Sequence, residues 1–179
     1  LLPGREPRAP AAARLVRMAI EKAAVLGATG GTGRWVAREL AARGVAVRVV
    51  SRSRAHLERD FAGPRFERVE ADLADAEGAR RALAGCSHAV HCVGLPLARF
   101  AEHLRQAEAV TEALRAAGVR ALLLTGYWSH SPLPERAISE KHVREGLGAL
   151  SAIRKQQEDR FLAGGAGVVT LPDFYGPEA

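Results

Sequence analysis

Cysteine is scarce: Cys86 and Cys92 are the only two in 179 residues. That excludes a disulfide scaffold and fits a reducing, cytoplasmic setting. No apolar run approaches the roughly 20 residues of a membrane-spanning helix, so no membrane partner is expected. The N-terminal stretch carries arginines and alanines but not the continuous apolar core of a secretory signal. Aromatic residues make up only 5%, and no Lys/Arg run is interleaved with them. The net charge of +6 is therefore not read as a nucleic-acid interface. Half of that excess comes from Arg5, Arg8, Arg14 and Arg17, set against Glu6 alone.

What is present is the composition of an ordinary globular domain, 47% hydrophobic and 26% charged. The length suits one domain with a full core. Met18 is the only methionine, and an apolar run follows it almost at once. Residues 1–17 are accordingly expected to be an upstream extension, either disordered or a short arm, ahead of a single domain over 18–179.

Apolar runs alternate with helix-length amphipathic stretches. Strands are predicted at Ala23–Gly27, Val45–Val50, Arg65–Val69, His88–Gly94, Arg120–Gly126 and Gly167–Leu171. Helices are predicted from Thr32 to Gly44, Asp75 to Ala84, about Arg99 to Ala117, and up to about Ala163. In the longest, Phe100, Leu104, Ala107, Val110 and Leu114 share one stripe. This alternation calls for an α/β fold: a doubly wound parallel sheet with helices on both faces. The His88, His91, Cys86 and Cys92 group invites a metal reading. Strand alternation sets His91 on the opposite face from His88 and Cys92, so no metal site is expected.

Gly27, Gly30 and Gly33 recur at every third position where the first strand meets the first helix. The first allows a tight turn and the second a close approach of backbone to pyrophosphate. The third lets the helix pack against the sheet. The helix start, with Gly31 and Thr32, offers free N–H groups to phosphate, and Thr29 adds a hydroxyl. No Gly-Lys-Ser/Thr follows, which excludes a Walker loop. After the second strand the chain reads Ser51, Arg52, Ser53, Arg54, without the carboxylate that binds a ribose 2′-hydroxyl. Ser51, Arg52 and Arg54 suit a 2′-phosphate instead, so NADP(H) is expected over NAD(H). Solvent-facing arginines in a turn are the alternative.

With these residues in place, the chain resembles the extended and atypical branch of the short-chain dehydrogenase/reductase superfamily. That branch includes NAD(P)-dependent epimerases and NmrA-like proteins. The resemblance covers Lys22 to Pro177 and implies an NAD(P)-binding Rossmann fold with six strands in the order 3-2-1-4-5-6. "GATGGTG" matches its glycine motif and "ADLAD" the stretch that contacts adenine, which implicates Asp72 and Leu73. "HCVG" matches the loop beside the cofactor ribose, implicating Val93 and Gly94. "LPDFYGP" matches the segment near the nicotinamide, implicating Pro172. It also implies that the 99–117 and 151–163 helices could pair two copies. Extended members continue into a substrate-covering lobe, which this chain is expected to lack.

One departure bears on chemistry. Catalytic members carry Tyr-x-x-x-Lys on the helix after strand five; here the matching positions are Ser151 and Lys155. The lysine would hold the nicotinamide ribose. A serine hydroxyl is a far weaker acid than a phenol and needs a separate base. Tyr127, at the C-terminal end of strand five, is the substitute candidate, with Trp128, His130, Glu135 and Tyr175 in neighbouring loops. Each could equally be a packing residue. Two readings follow. One is an NADP-dependent oxidoreductase or epimerase-like enzyme acting on a small carbonyl or sugar-like substrate. The other is a dinucleotide-sensing protein without turnover.

Overall fold

From the second strand on, each strand begins where a turn glycine or short loop releases the chain from a helix, and all six strands run the same way. The computed structural model describes residues 20–130, 139 and 141–171. The strands are β1 (Lys22–Leu26), β2 (Ala46–Ser51), β3 (Phe66–Glu70), β4 (His88–His91), β5 (Arg120–Gly126) and β6 (Gly167–Leu171). The helices are α1 (Gly31–Ala42), α2 (Arg54–Asp60), α3 (Ala76–Leu83), α4 (Glu102–Ala117) and α5 (Ala149–Ala163). Pairing is parallel throughout and the sheet order is β3-β2-β1-β4-β5-β6. Val25 lies opposite Val49 of β2 and Val90 of β4, which fixes the register at the sheet's centre.

Alternation along the strands divides the core into two layers. Ala24, Leu26, Val50 and Leu123 pack with Ala79, Leu83, Val110, Leu114 and Phe161 from α3, α4 and α5. Val25, Val47 and Val49 pack with Ala37, Ala41, Leu57 and Phe61, from α1, α2 and the residue that ends α2. His91 is buried edge-on against Phe161, whereas Cys92 packs against the α1 side. The two therefore face opposite layers.

β2 carries a buried charge. Arg48 sits on the same face as Val50 and donates to the carbonyls of Arg81, Ala82 and Ala84 at 3.3, 3.1 and 2.7 Å. These lie at the C-terminal end of α3, whose last carbonyls have no helical partner. Its other nitrogen reaches Glu67 at 2.7 Å. At the opposite end of α3, Asp75 accepts from the Gly78 N–H at 2.8 Å, an N-cap.

β5 and β6 match the sequence expectation residue for residue. β1, β2, β3, α1 and α3 lie within two residues of it at each end, and three elements differ by more. α2 is an extra helix of seven residues, opened by Ser53 accepting from the His56 N–H and anchored by buried Leu57. It is too short for periodicity to reveal. β4 ends at His91, because beyond the Cys92 N–H, bonded to Leu26 O at 2.8 Å, the chain leaves the sheet. α4 begins at Glu102, after a separate tight turn at Leu97–Arg99. Residues 1–17, Glu135, Pro172 and Tyr175 lie outside the described residues.

Candidate nucleotide-binding cleft

β1 and β4 are neighbours whose connections run to opposite faces, so a crevice opens beyond their C-terminal ends. The turn leaving β1 is held by Gly27 and Ala28 N–H groups, both donating to Val50 O at 3.0 Å. Gly27 takes φ +80°, and a Cβ there would lie 3.0 Å from Val93. A Cβ on Gly33 would lie 2.2 Å from the Gly27 carbonyl oxygen, so only glycine lets α1 approach this closely. α1 opens at Gly30 without a side-chain cap or an acidic residue in its first turn. Its first N–H groups and positive dipole end are left for an external anion.

A cleft of about 200 Å³ lies over this turn. It brings together Gly27, Thr29, Gly30, Ser51, Arg52, Leu73, Val93 and Gly94, eight positions singled out from sequence. Val50, Ala71, Cys92 and Gln106 complete its walls. Thr29 and Ser51 bond through their hydroxyls at 3.0 Å, tying the glycine turn to the end of β2. Arg34 donates to Thr29 O at 3.3 Å and to Asp60 at 3.2 Å, bracing the same turn against α2. The Arg59 hydrogen bond, with Arg34 beside it, holds the Asp60 carboxyl below the usual range. Burial pushes the Cys92 thiol up to about 12, so it stays protonated and unreactive.

Other expected cofactor residues are not in the cleft wall. Gly31, Thr32 and Gly33 form the first turn of α1. Arg54 is folded back onto Glu58 at 2.7 Å. Asp72 uses its carboxylate to accept from the Ala74 N–H at 3.0 Å.

Of the three catalytic candidates, Tyr127 stands in the tight turn Tyr127–His130 that packs against α5, the helix carrying Ser151 and Lys155. Tyr127 and His130 line a second, larger cavity of about 710 Å³ between α5 and β6. Neither Ser151 nor Lys155 lines it, and none of the three lines the cleft. Ser151 is buried. Lys155 Nζ bonds Asp159 Oδ2 at 2.7 Å, and its stem packs against Gly146. Trp128 stacks on Phe100, with ring centroids 5.8 Å apart.

Sequence reasoning missed a buried polar seam between α4 and α5. His103 and Gln157 approach at 3.4 Å, and Arg154 reaches Gln157 at 2.5 Å and His103 at 3.4 Å. Beside it, Glu158 accepts from Thr125 at 3.0 Å and from Arg144 at 2.9 Å. The available signal was His103 and Gln106 standing on the inward stripe of α4. Burial is the leading cause that lowers His91 to about 3 and His103 to about 4. Among the described residues no group of three His, Cys, Asp or Glu could hold a metal, and no helix is long and apolar enough to cross a membrane.

A family described as NAD(P)H-binding matches residues 27–164, from the first turn glycine to the end of α5. No curated protein matches the chain. Solved structures do. The Bordetella bronchiseptica enzyme WbmH, in complex with NAD+, aligns with a TM-score of 0.72 at 18% identity, over 86% of this chain and 56% of that one. DesIV, a dTDP-glucose 4,6-dehydratase from Streptomyces venezuelae with NAD and TYD bound, gives 0.72 at 20% identity, over 88% and 57%. A short-chain dehydrogenase/reductase superfamily protein from Agrobacterium tumefaciens with bound NAD gives 0.66 at 22%, over 84% and 48%. At these identities the likeness is one of fold. The chain spans about half the length of these structures.

Proposed function

We propose that this chain, which belongs to the NAD(P)H-binding family, holds NADP(H) in preference to NAD(H) and serves an oxidoreductase or epimerase-like reaction. The substrate class would be a small carbonyl or sugar-like molecule. One observation carries the reading: an uncapped helix start faces a cleft whose β2 rim offers Arg52 and whose described walls contain no carboxylate. The tight Gly27–Gly33 turn fits a pyrophosphate, because no side chain keeps it from the backbone. The fold neighbours with NAD bound support the same class of ligand.

In this reading the N–H groups of Gly31 and Thr32 bind the pyrophosphate, and Arg52 with Ser51 binds the 2′-phosphate. Leu73, with Asp72 behind it, walls the adenine end, and Val93 and Gly94 wall the ribose end. When bound, a nicotinamide dinucleotide supplies hydride transfer. Tyr127 is the proton donor candidate, with Ser151 as a positioning group, whereas Lys155 is committed to Asp159. The cytoplasm as compartment, and pairing of two copies through α4 and α5, belong to the same proposal. Light scattering of the purified chain tests the pairing.

Fluorescence titration with NADPH and NADH, for the wild type and Arg52→Ala, tests the cofactor assignment. The expected result is at least tenfold tighter NADPH binding, about 1.4 kcal/mol, erased in the variant. Equal affinities, or no binding of either nucleotide, overturn it.

A second reading, a dinucleotide-binding protein without turnover, is favoured by the Lys155–Asp159 pair and by the separation of Tyr127 from the cleft. Tight NADPH binding with no oxidation across a panel of carbonyl compounds selects it.

A further inference from the structure

We infer that Gln106 is a binding residue of the cleft, its carboxamide oxygen accepting a hydrogen bond from a ribose hydroxyl in the nicotinamide half of the dinucleotide. The inference rests on the cleft being a dinucleotide site. Gln106 stands on the second turn of α4, on the inward face shared with buried Ala107 and Val110. A glutamine at such a position is out of place in an apolar stripe, and it is only 2% exposed. Its side chain nevertheless lines the cleft, together with Gly27, Val93 and Gly94. Its Oε1 is buried with no hydrogen-bond partner. A buried polar atom of this kind calls for a partner from outside the chain.

The chemistry of such a partner follows from what a carboxamide oxygen needs, which is a donor. Phosphate oxygens carry no hydrogen to give at neutral pH, and the α1 N–H groups already face that part of a ligand. Ribose hydroxyls are donors. The topology selects between the two riboses. The β2 end of the cleft holds Ser51 and Arg52, while Gln106 enters with α4, beyond β4 and beside Val93 and Gly94. The other polar hydroxyls of the wall, Thr29 and Ser51, are bonded to each other. One turn before Gln106, His103 is gripped by Gln157 and Arg154 of α5. The helix that presents the carboxamide is therefore held in place before a ligand arrives.

The test uses the full chain. Gln106→Met keeps the length of the side chain and removes the carboxamide. Its dissociation constants for NADPH and for adenosine 2′,5′-bisphosphate, which has no nicotinamide ribose, are measured against the wild type. The expected result is NADPH binding weakened about five- to tenfold, one neutral hydrogen bond, with the bisphosphate unchanged within about twofold. Circular dichroism confirms folding. If the methionine variant does not fold, Gln106→Asn, which withdraws the oxygen by one methylene, is expected to give the same split. Unchanged NADPH affinity, or equal weakening of both ligands, overturns the inference. A wild-type chain that binds neither ligand overturns the dinucleotide reading instead.

Discussion

Lys155 Nζ lies 2.7 Å from Asp159 Oδ2, one helical turn further along α5, and outside the cleft that the glycine turn builds. Burial pushes the Asp159 carboxyl up, but hydrogen bonds from Lys155 and Arg144 outweigh this and hold it below the usual carboxylate range. The lysine is thus part of an ion-pair cluster that fastens the 141–148 segment to α5.

From that pairing, Lys155→Ala is expected to leave the NADPH dissociation constant within about twofold of the wild type. The same substitution should lower thermal stability only slightly, since a half-exposed pair contributes about 0.5 kcal/mol. Titration beside a melting curve checks both. A tenfold loss of NADPH affinity would mean that Lys155 leaves Asp159 when the nucleotide binds.

Arg48 gives the strongest stability prediction. Arg48→Met fills the same volume but abandons three carbonyls at the end of α3 and the Glu67 carboxylate. A destabilisation of about 3 kcal/mol is expected in urea unfolding, because buried acceptors lose their donor. Arg48→Lys should recover less than half of it, as a single ammonium cannot reproduce the planar fork. Full recovery by lysine would rule out the fork as the cause.

Acidification should unfold the chain through its buried histidines. His91 and His103 are held at about 3 and about 4, well below the ordinary value near 6.5. The unfolded chain therefore takes up protons that the folded chain refuses. Stability contributed by the neutral rings is complete above about pH 6.5 and is lost as pH falls towards 4 and then 3. Each unit of depression corresponds to about 1.4 kcal/mol. His91→Phe, an untitratable ring beside Phe161, should flatten the slope of unfolding free energy between pH 6.5 and 4. An unchanged slope would remove His91 from the account.

Much of the cleft was legible because its parts are local in the chain. Gly27, Thr29 and Gly30 belong to one turn, and Ser51 and Arg52 to one strand end. For such residues strand position alone dictates location. Arg54 shows the limit of the same logic: it is two residues from Arg52, yet α2 begins there and its guanidinium goes to Glu58 at 2.7 Å. Gln106 was missed for the opposite reason: its place on the inward stripe of α4 marks it as buried, not as a ligand contact. Nothing near it in sequence signals a ligand, and it reaches the cleft only because α4 packs over the sheet beside β4.

Periodicity and glycine spacing by themselves determined the alternating strands and helices, the parallel sheet and the tight glycine turn after β1. These rest on interactions within a few residues or on the repeat of apolar positions. Tertiary structure alone decided which polar residues were buried and what they met. Arg48 caps a helix more than thirty residues away, His103 meets Gln157 of α5 across the helix pair, and Tyr127 falls into a cavity apart from the cleft. Such pairings depend on how helices lie across the sheet, and no short-range pattern encodes that.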